Sequence, residues 1–350
     1  MLVKKGAPMT KEKTSPKNKT VKQMSVERGS YLRKPEKLHK PTKEIKQIAS
    51  SFKKDNEANE FRIFVAGGSR SGNNPVYEKE AFKLGEKIAQ MDFRLDFGLS
   101  GQGIMGAVAK GVLSVWAKKT DVQDLPIKGI TTKEYLALTQ ADDVVNQIKE
   151  VFVAHTLEER KNQLLNADFV IFAPGGIGTL DELVYDCVAM QDGFLPLKPF
   201  IIFNVEGHYY HVLEYLKEIA TKGFSQPTPF IVVDDATEAG IVFEVLKEVY
   251  QNPPSKENVL SAVERLIYLM PFIFEKKEEN PRLTAKQILK EIKKCENNEG
   301  FLARIESAYL KKEIDRMYLR LERVGQDAAL VSSKLSGLKE RKKGNIDGIY

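Results

Sequence analysis

The chain has 350 residues, 42% hydrophobic and 29% charged, enough for one sizeable core with extensions. Its net charge of +6 comes from the ends: residues 1–50 hold 14 Lys/Arg against 4 Asp/Glu and residues 301–350 hold 11 against 7, while residues 51–300 hold 29 against 37, so no basic nucleic-acid surface is implied for the body. Two cysteines exclude a disulfide framework or thiolate metal cluster and suit a reducing, cytoplasmic setting, and the longest apolar run, 266–274, is too short for a membrane span.

Residues 1–59 are rich in Lys, Pro, Thr and Ser and lack the apolar stretch of a secretory signal, which is the composition of a basic disordered arm. Such arms touch nucleic acid, membrane surfaces or acidic proteins, or only keep a chain soluble, and its partner is unknown. From Phe61 the pattern changes. Strands are expected over 61–66, 93–97, 126–130, 151–154, 169–173, 199–203 and 230–233. Helices are expected over 75–91, 104–118, from Thr156 onward, 179–191, 208–221 and 236–250. Strands alternating with helices of this length imply an α/β, Rossmann-like doubly wound parallel sheet over residues 60–252.

Such sheets bind ligands beyond the C-terminal ends of their strands. Three glycine turns, 67–69, 98–106 and 174–178, all follow strands and fall at that edge. In the last of them Pro174-Gly175-Gly176 ends a strand and Gly178-Thr179 opens a helix, whose unpaired N–H groups and dipole favour an anion such as phosphate. A structural reading stands beside this one: the turn needs glycine anyway, and Thr179 with Glu182 has the spacing of a capping box. Gly101-x-Gly103-x-x-Gly106 matches a dinucleotide fingerprint, but it follows the second strand and no acidic ribose reader ends the next one. Arg160 and Lys161, on the helix that Thr156 and Glu159 cap, have the plain alternative of a solvated face. Asp181 suits the first turn of the 179–191 helix, where a carboxylate favours the dipole. His155 precedes the helix that carries Arg160 and could line the site, although a lone histidine at a strand end is more often structural; His208 and His211 have no companions at metal-ligand spacing, so no metal site is expected.

The segments Phe64-Val-Ala-Gly-Gly-Ser-Arg-Ser-Gly-Asn-Asn-Pro75, Gly98 to Gly106, Glu159-Arg-Lys161 and Pro174-Gly-Gly-Ile-Gly-Thr-Leu-Asp-Glu182 together resemble the LOG ("lonely guy") family of nucleoside 5′-monophosphate phosphoribohydrolases. These proteins are often mislabelled lysine decarboxylases. The resemblance covers about residues 60–250. It implies hydrolysis of the N-glycosidic bond of AMP-like nucleotides, cytokinin riboside monophosphates among them, to free base and ribose 5-phosphate. It implies Glu182 and Arg160 as catalytic residues, with Gly68, Ser69, Gly103, Met105, Lys161, Gly175, Gly176, Gly178 and Thr179 as substrate-binding ones. It also implies no cofactor and a homo-oligomer, a dimer or larger. One departure puts base preference in question: a glycine triplet usual in plant-type members reads Gly98-Leu99-Ser100 here. The chemistry fits the residues, because an oxocarbenium-like transition state is stabilised by a nearby carboxylate. No lysine stands in a recognisable Schiff-base setting, which argues against a decarboxylase.

Residues 253–350 read as a helical extension: one helix over 255–274, another capped by Thr284 and Gln287, and a heptad-like series from Leu310 to Leu338 suited to a coiled coil or to packing on its own domain. The alternative class of function is a non-catalytic nucleotide sensor or adaptor that docks partners through this extension.

Overall fold

The computed structural model describes residues 61–119, 125–139, 142–192, 194, 198, 200–226, 228, 230–251 and 259–295, and beyond these 298, 300, 301, 303–305, 307, 308, 311, 312, 315 and 316. All lie in the unit Ile45–Tyr350. The expected arm over 1–59 lies outside the described residues, as does the heptad series over 310–338 apart from residues 311, 312, 315 and 316.

In chain order the elements are β1 (Arg62–Ala66), α1 (Val76–Gln90), β2 (Arg94–Phe97), α2 (Gly103–Trp116), β3 (Ile127–Thr132), α3 (Lys133–Thr139), α4 (Asp143–Gln147), β4 (Glu150–Ala154) and α5 (Leu157–Leu165). They continue as β5 (Phe169–Phe172), α6 (Ile177–Gln191), β6 (Phe200–Phe203), α7 (Tyr210–Thr221), β7 (Phe230–Val233), α8 (Ala236–Gln251), α9 (Val259–Glu279) and α10 (Ala285–Cys295). The strands form one seven-stranded sheet in the order β4-β3-β2-β1-β5-β6-β7, every pairing parallel. The fold is the expected doubly wound α/β type. The chain builds outward from β1 to β4, then returns to place β5 on the other side of β1, so the order switches between β1 and β5.

The strand sequences explain this burial. β5 (Phe-Val-Ile-Phe) and β6 (Phe-Ile-Ile-Phe) are apolar at every position and buried at every position, as strands covered on both faces require. One face packs Ile63, Val65, Phe97, Phe169 and Ile171 against Leu84, Ile88, Val108, Val112 and Phe243 of α1, α2 and α8. The other packs Phe64, Val170, Phe172 and Phe200 against Leu164, Leu165, Leu183 and Met190 of α5 and α6. The helices α1 and α2 touch backbone to backbone: a Cβ on Gly85 would stand 2.1 Å from the Val108 carbonyl oxygen, and one on Gly111 2.0 Å from that of Phe82. The start of α2 is held against the turn after β1 by the N–H groups of Ile104 and Met105, which donate to the Gly68 carbonyl.

Several local expectations need correction. Helix α6 begins at Ile177 with Gly176 as its N-cap and no side-chain cap, so Thr179 lies inside the helix and forms no capping box with Glu182. For the same reason Asp181 is not in the first turn; it pairs with Lys161 at 2.5 Å. Helix α9 runs through Pro271 to Glu279 instead of stopping near 274. The short helices α3 and α4 were not expected. The Thr284 and Gln287 box does form, with Thr284 N–H donating to Gln287 at 2.8 Å and Gln287 N–H to Thr284 Oγ1 at 3.3 Å. At α5, Thr156 accepts from Glu159 N–H at 3.0 Å, but Glu159 reaches back to the N–H of His155, one residue before the cap.

Candidate active site

The loops after β1 and β5 meet at the switch in strand order, where this type of sheet leaves a crevice. Gly68 N–H donates to the Pro174 carbonyl at 3.0 Å, and a Cβ on Gly68 would come within 3.2 Å of Gly175 Cα. The turn into α2 closes on them from the side: Gly103 has φ +60°, and a Cβ there would lie 2.4 Å from the Ser69 carbonyl carbon, so only glycine fits. The three glycine turns form the floor of a cavity of about 1120 Å³.

Two helix N-termini reach this cavity without side-chain caps, α2 and α6. They are not equivalent. At α2 the Gly68 carbonyl accepts from Ile104 N–H at 2.9 Å and Met105 N–H at 3.3 Å, which uses the donors an anion would need. At α6 the N–H groups of Ile177, Gly178 and Thr179 donate to no acceptor among the described residues, and a Cβ on Gly176 or Gly178 would meet no atom within 4 Å. The positive end of α6 is therefore open to an anion.

One turn inside α6, Glu182 faces the same cavity, with Arg160 of α5 across from it: Arg160 Nη1 lies 3.6 Å from Glu182 Oε1. The two side chains are only 12% and 15% exposed, so Arg160 is not on a solvated face. Its guanidinium is held on three sides. Nε donates to the Ile130 carbonyl within β3 at 3.1 Å, the Tyr135 ring lies 5.4 Å away, and Gly98 leaves the space that Nη2 needs, since a Cβ there would stand 2.5 Å from it. Burial raises the Glu182 carboxyl above its ordinary pKa, and Arg160 works against that rise. Behind the β5 loop, Tyr209 Oη donates to the Ala173 carbonyl at 2.6 Å, and His208 Nε2 sits 3.0 Å from the Gly175 carbonyl oxygen. Burial lowers the His208 pKa, with the Gly175 hydrogen bond working the other way.

Of the residues expected at the site, Glu182, Arg160, Gly68, Ser69, Met105, Gly175, Gly176, Gly178 and Thr179 line the cavity. Gly103 and Lys161 do not: Gly103 serves the turn, and Lys161 pairs with Asp181 and lies 5.1 Å from the Tyr185 ring. His155 is not in the lining either. The wall made by Tyr135, Leu138, Thr139 and Asp142, around α3 and α4, went unrecognised. Asp142 accepts from Val144 N–H at 2.9 Å, an N-cap that an Asp ahead of Val-Val could have signalled. Leu99 sits buried at φ +56°, a left-handed conformation unusual for leucine, and fits because position 129 is glycine: a Cβ there would lie 2.4 Å from Leu99 Cδ1. Among the described residues no group of three His, Cys, Asp or Glu could hold a metal, and no helix is long and apolar enough to cross a membrane.

Residues 105–242 match the family model described as "Possible lysine decarboxylase". The chain is similar to cytokinin riboside 5′-monophosphate phosphoribohydrolase LOG1 of Arabidopsis thaliana, 28% identical over 216 residues that span 61% of this chain and 91% of that protein. It is similar to LOG7 of the same plant, named for the same activity, at 27% over 214 residues, 59% of this chain and 92% of that protein. Among solved structures it resembles the Moco carrier protein of Chlamydomonas reinhardtii, with 17% identity and a TM-score of 0.38 over 55% of this chain and 99% of that one.

Proposed function

We propose that the α/β body is a member of the LOG family, whose relatives it resembles at 27–28% identity, and that the protein hydrolyses the N-glycosidic bond of nucleoside 5′-monophosphates, releasing the base and ribose 5-phosphate. The observation that carries this reading is one cavity holding both the open N-terminus of α6 and, one turn along the same helix, the shielded pair of Glu182 and Arg160. A 5′-phosphate takes the N–H groups of Ile177, Gly178 and Thr179 and is stabilised by the helix dipole. The ribose then lies alongside the first turn, within reach of Glu182.

In the reaction the C1′–N bond breaks with its electron pair leaving on the base, and a water oxygen bonds to C1′. One proton of that water passes by way of Glu182 or solvent to the leaving base, and the other stays on the oxygen as the new C1′ hydroxyl. Glu182, ionised, stabilises the positive charge that develops at C1′ and accepts the proton of the attacking water. Arg160, fixed by Ile130 and Tyr135, opposes the burial that raises the Glu182 pKa and directs a rigid cation at the electron-rich leaving side. The apolar wall of Tyr135, Leu138, Val144 and Ile177 suits a purine, including one with an apolar substituent. Lys110, the lysine in the lining, is exposed, whereas an amine that forms Schiff bases is activated by desolvation or a neighbouring cation. We also assign a homo-oligomeric working form in the cytoplasm. Exposed Leu157, Val184 and Val188 on the outer sides of α5 and α6 support the oligomer, and light scattering of the purified chain tests it.

The deciding experiment offers the protein AMP, GMP, CMP, UMP, IMP and isopentenyladenosine monophosphate, with adenosine and ATP as controls, and follows base release by chromatography. Release from monophosphates and not from adenosine is the expected result, and the ranking identifies the base. No release from any of them overturns the reading.

A further inference from the structure

The segment beyond the α/β body is anchored at the end of the edge strand β7, two strands from β5. Arg316 Nε lies 3.2 and 3.0 Å from the two carboxylate oxygens of Asp234, and Nη2 donates to the Val232 carbonyl at 2.9 Å. Lys312 stands 3.1 Å from Asp234 and pairs closely with Glu238. Burial alone would raise the Asp234 carboxyl, but Arg316 and Lys312 together hold it below its ordinary range, as an ion pair made inside the protein requires.

From Asp234 a chain of hydrogen bonds leads inward. Asn204 Nδ2 donates to Asp234 at 3.4 Å, Asn204 Oδ1 accepts from Tyr209 N–H at 2.9 Å, and Tyr209 Oη donates to the Ala173 carbonyl at 2.6 Å. Ala173 immediately precedes Pro174, where the anion-binding turn begins. The neighbour of Tyr209, His208, also brackets Gly175, 3.0 Å from its carbonyl oxygen and 3.2 Å from its nitrogen. Lys312 and Arg316 lie outside the matched residues 105–242, so this connection joins the extension to the turn at the heart of the family match.

We propose that Arg316, seated with Lys312 on Asp234, is a positioning residue for the Pro174–Gly178 turn, acting through Asn204 and Tyr209 and so setting the affinity for the substrate's phosphate. The inference rests on the phosphoribohydrolase reading. Arg316 touches neither substrate nor Glu182; it fixes the backbone whose N–H groups receive the phosphate, so its loss shows in binding more than in turnover.

The test uses the full chain with Arg316→Ala, Arg316→Lys, Tyr209→Phe and the Arg316→Ala/Tyr209→Phe double variant. AMP kinetics, calorimetric titration with ribose 5-phosphate and thermal unfolding are measured on each. Arg316→Ala and Tyr209→Phe are each expected to raise KM and the ribose 5-phosphate Kd by roughly three- to tenfold, with kcat within about twofold. Arg316→Lys, which keeps the charge and loses the forked geometry, falls between. The double variant is no worse than the weaker-binding single one, because both break one chain. Unchanged affinity in Arg316→Ala, or additive effects in the double variant, overturns the proposal. If Arg316→Ala does not fold, Arg316→Lys and Tyr209→Phe decide by the same readouts. A wild type that releases no base overturns the phosphoribohydrolase reading instead, and ribose 5-phosphate affinity then still decides the positioning role.

Discussion

Replacing Glu182 by Gln keeps the shape of the side chain and removes its charge together with its capacity to accept a proton, and the electrostatic part alone sets a lower bound on the loss. Glu182 and Arg160 are 3.6 Å apart and mostly shielded from solvent, so the surroundings respond with an effective dielectric nearer 20 than 80. A carboxylate about 4 Å from a developing unit charge is then worth about 4 kcal/mol. That corresponds to roughly a thousandfold in rate. In bulk water the same pair would contribute about 1 kcal/mol, roughly sixfold. Steady-state base release from the best substrate, with ribose 5-phosphate affinity measured alongside, separates the two. The expected outcome is a loss of kcat of about 10³ with little change in affinity. In the wild type, activity should fall as pH drops through the raised pKa of Glu182, and that acid limb should vanish in the variant. A loss smaller than about tenfold would refute the reasoning, since the carboxylate would then act no more strongly than in water.

Three further outcomes are expected. Gly98→Ala puts a methyl group 2.5 Å from Arg160 Nη2 and should cut activity at least about tenfold while shifting the unfolding temperature little, read by base release and calorimetry. Arg160→Ala removes the cation that opposes the burial of Glu182, so beyond slowing the reaction it should move the acid limb of the pH–rate profile upward; a limb that stays in place would separate the two residues. Asp96, buried with both carboxylate oxygens unpartnered and Arg62 and Arg94 each 3.9 Å away, has its pKa raised by burial from 3.8 to about 6. The folded state holds that proton more tightly than the unfolded one, so its contribution is present at low pH and lost as pH rises from about 4 to about 6; Asp96→Asn should be level with wild type near pH 4 and more stable above pH 6, by up to about 3 kcal/mol in denaturant titrations.

The sheet and the floor of the site were legible because backbone demands wrote them into the chain. Central strands need apolar residues on both faces, hence Phe169–Phe172 and Phe200–Phe203. Turns that touch backbone to backbone need glycine at 68 and 103, and Gly98 leaves the room that the Arg160 side chain fills. The same rule misled at Thr179: Thr-x-x-Glu has the spacing of a cap, but the glycines before it let the backbone turn into the helix two residues early, and the threonine went inside. The wall around α3 and α4 left no trace in the pattern because Lys133–Thr139 buries none of its residues and so has no apolar period to read. Arg160 was separable from the solvated face beside it only by its tertiary partners Ile130, Tyr135 and Glu182, none nearer than 22 residues in the chain.

The sheet ends on β7, and a parallel strand at an edge offers its unpaired amides and carbonyls to any chain that drifts past. Arg316 occupies the Val232 carbonyl with a guanidinium, and Lys312 and Arg316 set two positive charges beside the last turn of that strand. A chain shortened before Lys312 would thus lose a guard against sheet-to-sheet association. Its first symptom would be clouding and sedimentable aggregates during expression or concentration, visible before any assay of the nucleotide site is attempted.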